Sequence, residues 1–329
     1  MTQNELLYIL ALQNVANLGD STAKKLIRHL GSAEAVVKAK KEILLKIDGV
    51  GNTKLHDLHS SHHLKAAEDE LRFIEDNKIN YAYFLDGDYP EKLKHCIDGP
   101  ILLFSRGNID LKNKKIISIV GTRRITTQGI AFCEQLIEDL SPLSPVIVSG
   151  FAYGVDITAQ KSAIEQGLQT IGCLAHGLNQ IYPKVHSKYV SQIESNGGFF
   201  TDFWSTHAFE RTNFLKRNRI IAGLSEATIV IESAEKGGSL VTADIANSYN
   251  REVFAVPGRP GDSQSKGCNN LIKSQNAHLL TCAADLVYLL NWETSPNPHA
   301  IQKQLFVDLD AQEEPIYKYL QENGKQQLD

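Results

Sequence analysis

Three cations and an amide fall within four positions at Lys216-Arg217-Asn218-Arg219, and the apolar run Ile220-Ile221-Ala222-Gly223-Leu224 follows at once. Planar guanidinium forks match phosphate oxygens in pairs, so this spacing favours anion capture over bond breaking. On a helix, Lys216 and Arg219 share one face, Arg217 looks onto a neighbouring one, and the apolar residues dock the helix on a sheet. The plainer reading pairs the arginines with carboxylates. Loops elsewhere argue for an anion. Gly121-Thr122-Arg123-Arg124, Ser149-Gly150-Phe151-Ala152-Tyr153-Gly154, His176-Gly177-Leu178-Asn179, residues 233–239 and Pro257-Gly258-Arg259-Pro260-Gly261 each follow a short apolar run. Glycine backbones and helix N-termini expose N–H groups to a phosphate. Arg123, Lys184 and the Arg217/Arg219 pair are thus candidates for holding several phosphates of one strand, contacts that grip backbone without reading bases. Phe151, Tyr153, Tyr182 and Phe214 are candidates for stacking on bases, with core packing as their other use.

Other chemistries find less support. Gly121-Thr122-Arg123-Arg124-Ile125-Thr126 is not the dinucleotide fingerprint, and the phosphate-loop lysine motif is absent, so no nucleotide cofactor is expected. Asp156, His176 and Asp202 offer an acid, a base and an orienting group, but no strained nucleophile turn accompanies them. His56, His59, His62 and His63 cluster without a spacing that fixes a zinc geometry, so no metal is expected. The five cysteines are scattered with no C-x-x-C pair, which suits reduced core thiols.

The elements that must position these residues alternate. Strands are expected at 116–120, 146–149, 170–175, 199–202, 227–232, 252–256 and 278–281, with helices such as 129–140, 157–166 and 240–250 between them. The fold class is α/β: an extended Rossmann-like, doubly wound, mostly parallel sheet over residues 112–292, whose ligands bind beyond the carboxyl ends of the strands. Residues 66–111, with strands 81–85 and 101–104, read as an extension of the sheet edge. Residues 1–65 read as a small all-α domain. There Val15 to Leu26 and Leu45 to Leu55 repeat an apolar residue, a glycine turn, a polar cap and a basic helix, the pattern of paired helix-hairpin-helix motifs. A bundle for protein contact is the alternative. Residues 293–310, with Pro296 and Pro298, read as a linker, and 311–329 as the start of one further small domain.

Length and 42% apolar content allow two or three domains. No eighteen-residue apolar run and no signal-peptide order occur, so a cytoplasmic protein without membrane contact is expected. The net charge of −4 resides wholly in residues 305–329, where six acids face Lys318 and Lys325. The anion site must therefore be a local concentration of charge and not a basic surface.

Taken together, Ile119-Val120-Gly121-Thr122-Arg123, Ser149-Gly150-Phe151-Ala152-Tyr153-Gly154-Val155-Asp156, Arg217-Asn218-Arg219-Ile220-Ile221-Ala222-Gly223-Leu224-Ser225 and the segments 177–183, 237–243 and 251–258 resemble the DNA processing protein A family (DprA, also called Smf). The likeness spans about residues 81–291. It implies sequence-nonspecific binding of single-stranded DNA without a cofactor or turnover, by a homodimer that loads the RecA recombinase onto incoming DNA in natural transformation. The resemblance assigns the DNA pocket to Gly121, Thr122, Arg123, Ser149, Gly150, Lys184, Arg217, Asn218, Arg219, Gly238, Ser239 and Thr242. It places dimerisation around 271–290 and makes 311–329 a truncated winged helix. One departure is Gln160, where the family has histidine. Two rivals stand beside this reading. One is an enzyme akin to nucleoside-monophosphate phosphoribohydrolases, although residues 237–243 lack the catalytic glutamate, Asp244 being the nearest acid. The other is a scaffold for RecA with an incidental basic rim.

Overall fold

The apolar runs between the glycine turns become strands because each can bury both faces. In the computed structural model, residues 1–292, 310 and 313–323 are described. The strands are β1 (Asn80–Tyr83), β2 (Leu102–Asn108), β3 (Ile116–Val120), β4 (Val146–Ser149), β5 (Thr170–Cys173), β6 (Gly197–Thr201), β7 (Ala227–Val230), β8 (Glu252–Ala255) and β9 (His278–Leu279). Every residue of β3 to β7 is buried, as helices on both faces of a parallel sheet require.

All nine join one sheet in the order β1-β2-β6-β5-β4-β3-β7-β8-β9. The chain enters the parallel part at its centre, with Ile116 beside Val146 on one flank and Ile117 beside Ala227 on the other. It winds outward to β6 and then returns to β7, so the winding reverses between β3 and β7. Clefts open at such a reversal because the loops leave in opposite directions. Beyond β6, β2 runs antiparallel with Phe104 beside Thr201, and β1 pairs outside β2. The last strand is shorter than its sequence suggests, because His278 and Leu279 at the sheet margin are both exposed.

The N-terminal helices are α1 (Gln3–Gln13), α2 (Asp20–Leu30), α3 (Ala33–Lys38), α4 (Lys41–Leu44) and α5 (Ser61–Asp76). The 65/66 boundary expected from sequence falls inside α5, and residues 1–289 form one compact unit, with 290–329 a second. Only the first glycine turn leads into a helix, with Gly19 capping α2. After Gly51 the chain makes successive turns, because Leu55 and Leu58 both reach the core there. The lysines that would face a phosphate are engaged internally. Lys25 donates to Asp48 O, while Lys54 donates to Gly49 O at 3.0 Å and Thr22 Oγ1 at 3.1 Å.

The remaining helices are α6 (Glu91–Lys94), α7 (Thr127–Leu140), α8 (Val155–Glu165), α9 (Val190–Ser195), α10 (Arg211–Leu224), α11 (Gly238–Ser248), α12 (Lys266–Lys273), α13 (Ala283–Leu289) and α14 (Glu313–Asn323). Within the second unit, α14 covers part of the expected winged-helix start, and residues 313–322 are exposed. The linker at 293–310 lies outside the described residues apart from Asp310. Four cysteines are buried and Cys282 is exposed. Burial pushes the thiols of Cys133, Cys173 and Cys268 up to about 12.

Gln160 on α8 is fully buried beside β5, and neither Nε2 nor Oε1 has a partner among the described residues. An unpaired buried polar group costs about 1–3 kcal/mol. Gln160→Met, which keeps the volume and removes both polar atoms, should therefore raise the unfolding free energy by about 1–2 kcal/mol in urea titrations.

Candidate nucleic-acid interface

At the carboxyl ends of β3 and β7 lies a cavity of about 630 Å³. Its first wall is the turn after β3. Gly121 packs so closely that a side-chain carbon there would sit 2.4 Å from Val155 Cγ2. Thr122 N donates to Glu232 O at 2.8 Å and Val155 N donates to Thr122 O at 3.1 Å, so this turn is pinned between the next loops. Arg123 leaves it freely exposed, its guanidinium 5.3 Å from the centre of the Phe214 ring, a cation–π distance.

The second wall is α10, docked by Ile220, Ile221 and Leu224 and by Ser118 Oγ of β3 donating to Ile221 O at 2.7 Å. Arg217 is only 4% exposed at the cavity. Its Nη1 donates to Gly150 O at 2.7 Å and to Cys173 O, tying together the ends of β4 and β5. Asp156 of α8 accepts from Gly150 N at 3.1 Å and Ala152 N at 3.4 Å. Burial raises the Asp156 carboxyl above its usual range, and the charge of Arg217 opposes that rise. No side chain fits at residue 150, where an added carbon would lie 2.5 Å from Asp156 Oδ2 and 2.6 Å from Arg217 Nη2.

Helix N-termini supply the rest of the electrostatics. The chain's own carboxylate serves α7, since Glu232 accepts from Thr126 N at 2.9 Å and from its hydroxyl. At α8 the cap residue Gly154 offers no side chain, but the amides there are engaged within the chain: Asp156 accepts from the preceding loop, while Val155 N and Ile157 N donate to Thr122 O and Ala152 O. By contrast, among the described residues the first turn of α11 has no capping side chain and no carboxylate on its amides. Gly237, Gly238, Ser239 and Thr242 of this turn line the cavity, with Ser239 Oγ donating to Ser233 Oγ at 3.0 Å. Asn218 Nδ2, donating to Gly238 O at 3.3 Å, fixes α11 against α10.

Of the expected pocket residues, Gly121, Thr122, Arg123, Arg217, Asn218, Gly238, Ser239 and Thr242 line the cavity. Ser149 and Gly150 stand behind it, Ser149 Oγ donating to Ile119 O at 2.6 Å. Lys184 is exposed just beyond the lining residue Tyr182 and does not itself line the cavity. Arg219 points elsewhere. Its Nη2 meets Asp20 Oδ2 of α2 at 3.0 Å and Asp202, and its Nη1 donates to Asp98 O, so it joins the N-terminal helices to the sheet. Arg211 and Phe209 line the cavity without having been singled out from sequence, and Lys236 lines it from within the expected 233–239 loop. Phe209, Tyr182 and Phe214 form an aromatic cluster with ring centres 4.6 to 6.0 Å apart. Phe151 is fully buried and serves the core, its ring edge-on to Phe199.

The acid, base and orienter do not assemble. Asp202 is engaged by Arg219, Asp156 by backbone amides, and buried His176 by Gly177 O at 2.9 Å.

With that geometry in place, the family model for DNA recombination-mediator protein A matches residues 80–291. The chain belongs to this family. Within the recombination-mediator family it is similar to the Synechocystis "Protein Smf", 33% identical over 83% of this chain and 69% of the relative. The X-ray structure of DNA processing protein A (DprA) from Streptococcus pneumoniae superposes with a TM-score of 0.74 at 30% identity, covering 88% of this chain and 98% of that one. A Helicobacter pylori DprA structure, described for its single-stranded DNA binding mode, gives a TM-score of 0.58 at 29% identity over 64% of this chain and 96% of that one. The matched segment contains every cavity-lining residue, so the family likeness and the cavity coincide.

Two outcomes test this arrangement. Arg219→Ala leaves the partly buried Asp20 and Asp202 without their cation and should cost about 2–3 kcal/mol in urea unfolding, somewhat less than the loss of one partner from a fully buried pair. Burial holds His176 and His207 below the ordinary imidazole value of 6.5. The unfolded chain therefore takes up protons first, so stability should be full above that pH and fall as the pH drops below it. In His176→Gln the fall should be shallower across the same titration.

Proposed function

We propose that this chain binds single-stranded DNA without sequence preference and loads RecA recombinase onto it during natural transformation. The observation that carries the binding reading is the open N-terminus of α11 facing Arg123 across the cavity, while Glu232 occupies the start of α7 and the amides at α8 are taken by backbone carbonyls. A phosphate at α11 gains bare amides, the helix dipole and the cations Arg123, Arg211 and Lys236. The aromatic cluster beside it offers ring faces, which accept any base. Arg217 supports the loop carrying Gly150 and sets the shape of the site. Ser149, Gly150 and Lys184 act from just behind or beyond the lining.

Homodimerisation belongs to the same proposal. Near the sheet margin Leu279, Tyr288 and Leu289 are 49%, 84% and 41% exposed, while Leu271 and Leu286 face inward. Such an apolar patch suits a second copy. The RecA step is carried over from the family resemblance.

Oligo-dT affinity measured against salt tests the binding reading. Each phosphate contact on a single strand adds about 0.7 to the slope of log affinity on log salt. Arg123→Ala and Lys236→Ala should each make that slope shallower by about this amount. They should weaken mixed-sequence and homopolymer oligomers alike. A loss confined to one sequence, or an unchanged slope, would refute the reading.

A further inference from the structure

The aromatic wall of the cavity is held from behind by helices that do not line it. Between β6 and α10, residues 202–210 form a loop that ends near Phe209, which is 45% exposed and packs on Tyr182 and Phe214. Buried Glu70 of α5 accepts from Ser205 N at 2.9 Å and from Ser205 Oγ at 2.6 Å. Gln13 of α1 accepts from Trp204 Nε1 at 2.8 Å and donates to Asp202 O at 3.4 Å. From the sheet side, Asn179 Nδ2 donates to Ser205 O at 2.8 Å. Hydrogen bonds to a carboxylate are stronger than neutral ones, and a half-held loop samples other positions.

From these contacts we infer that the N-terminal helices set the base-facing wall of the cavity, with Glu70 and Gln13 as positioning residues for Phe209. This rests on reading the cavity as a single-stranded DNA site. It gives the N-terminal module a role that its own turns do not supply, since Lys25 and Lys54 are engaged within it. The phosphate-facing wall, built from Gly121, Arg123 and the first turn of α11, is fixed by the sheet loops and not by α1 or α5. Loosening Glu70 should therefore impair contacts to bases and spare contacts to phosphates.

Full-length wild type, Glu70→Ala and Glu70→Gln would be compared on oligo-dT and on an abasic oligomer of equal length carrying the same phosphates. Stacking on aromatic rings carries much of the affinity for bases, so Glu70→Ala should lose about tenfold on oligo-dT. Its affinity for the abasic oligomer and its salt slope should stay as in wild type. Glu70→Gln keeps an acceptor oxygen and should restore most of the dT affinity. In a Trp292→Phe background, iodide should quench Trp204 more in Glu70→Ala than in wild type. Gln13→Ala provides an independent variant with the same expected pattern should Glu70→Ala fail to fold. Equal losses on both oligomers, or no loss on either in folded variants, would overturn the positioning role. Wild type binding neither oligomer would overturn the DNA reading beneath it.

Discussion

Everything near the cavity follows from two guanidinium groups placed two residues apart on one helix. An α-helix turns about 100° per residue, so Arg217 and Arg219 project from roughly opposite sides of α10. Both are shielded from water, and a buried guanidinium must find acceptors. Arg217 finds them in Gly150 O and Cys173 O, which brings the ends of β4 and β5 under the site. Arg219 finds Asp20, Asp202 and Asp98 O, which fastens α2 to the far side of the same helix. A single rod thus fixes the loops in front of it and the helical module behind it.

The electrostatic design is subtractive. A rim with several helix N-termini would attract anions at many points. Glu232 occupies the one at α7, and backbone carbonyls take the amides at α8, so the α11 turn is the one at the cavity without a capping side chain or carboxylate among the described residues. The chain is net acidic as a whole, yet Arg123, Arg211 and Lys236 gather positive charge where the cavity opens. Asp156 and Asp202, the carboxylates weighed for a catalytic set, hold backbone amides and Arg219 instead.

Much of this was legible in the sequence. The strands of the sheet were readable because Ile116–Val120 and its neighbours are short apolar runs that only a doubly covered sheet can bury. The rim was readable because glycines follow those runs. The fate of Arg219 was not, since its partners Asp20 and Asp98 are more than a hundred residues away in sequence and no local pattern announces them. Arg211 and Phe209 escaped notice for a related reason: nothing in their immediate neighbours distinguishes a cavity wall from ordinary surface. The second helix-hairpin-helix turn kept its glycines but not its helix, because tertiary anchoring of Leu55 and Leu58 overrode a local preference.

The distribution of thiols has a practical side. Four of the five cysteines are enclosed, and three of those are held by burial far above physiological pH in their ionisation. A thiolate is the species that reacts with maleimides and peroxides, so these groups are chemically quiet in the folded chain. Cys282, between β9 and α13, is left as a native attachment point for one fluorophore or spin label at the end of the sheet.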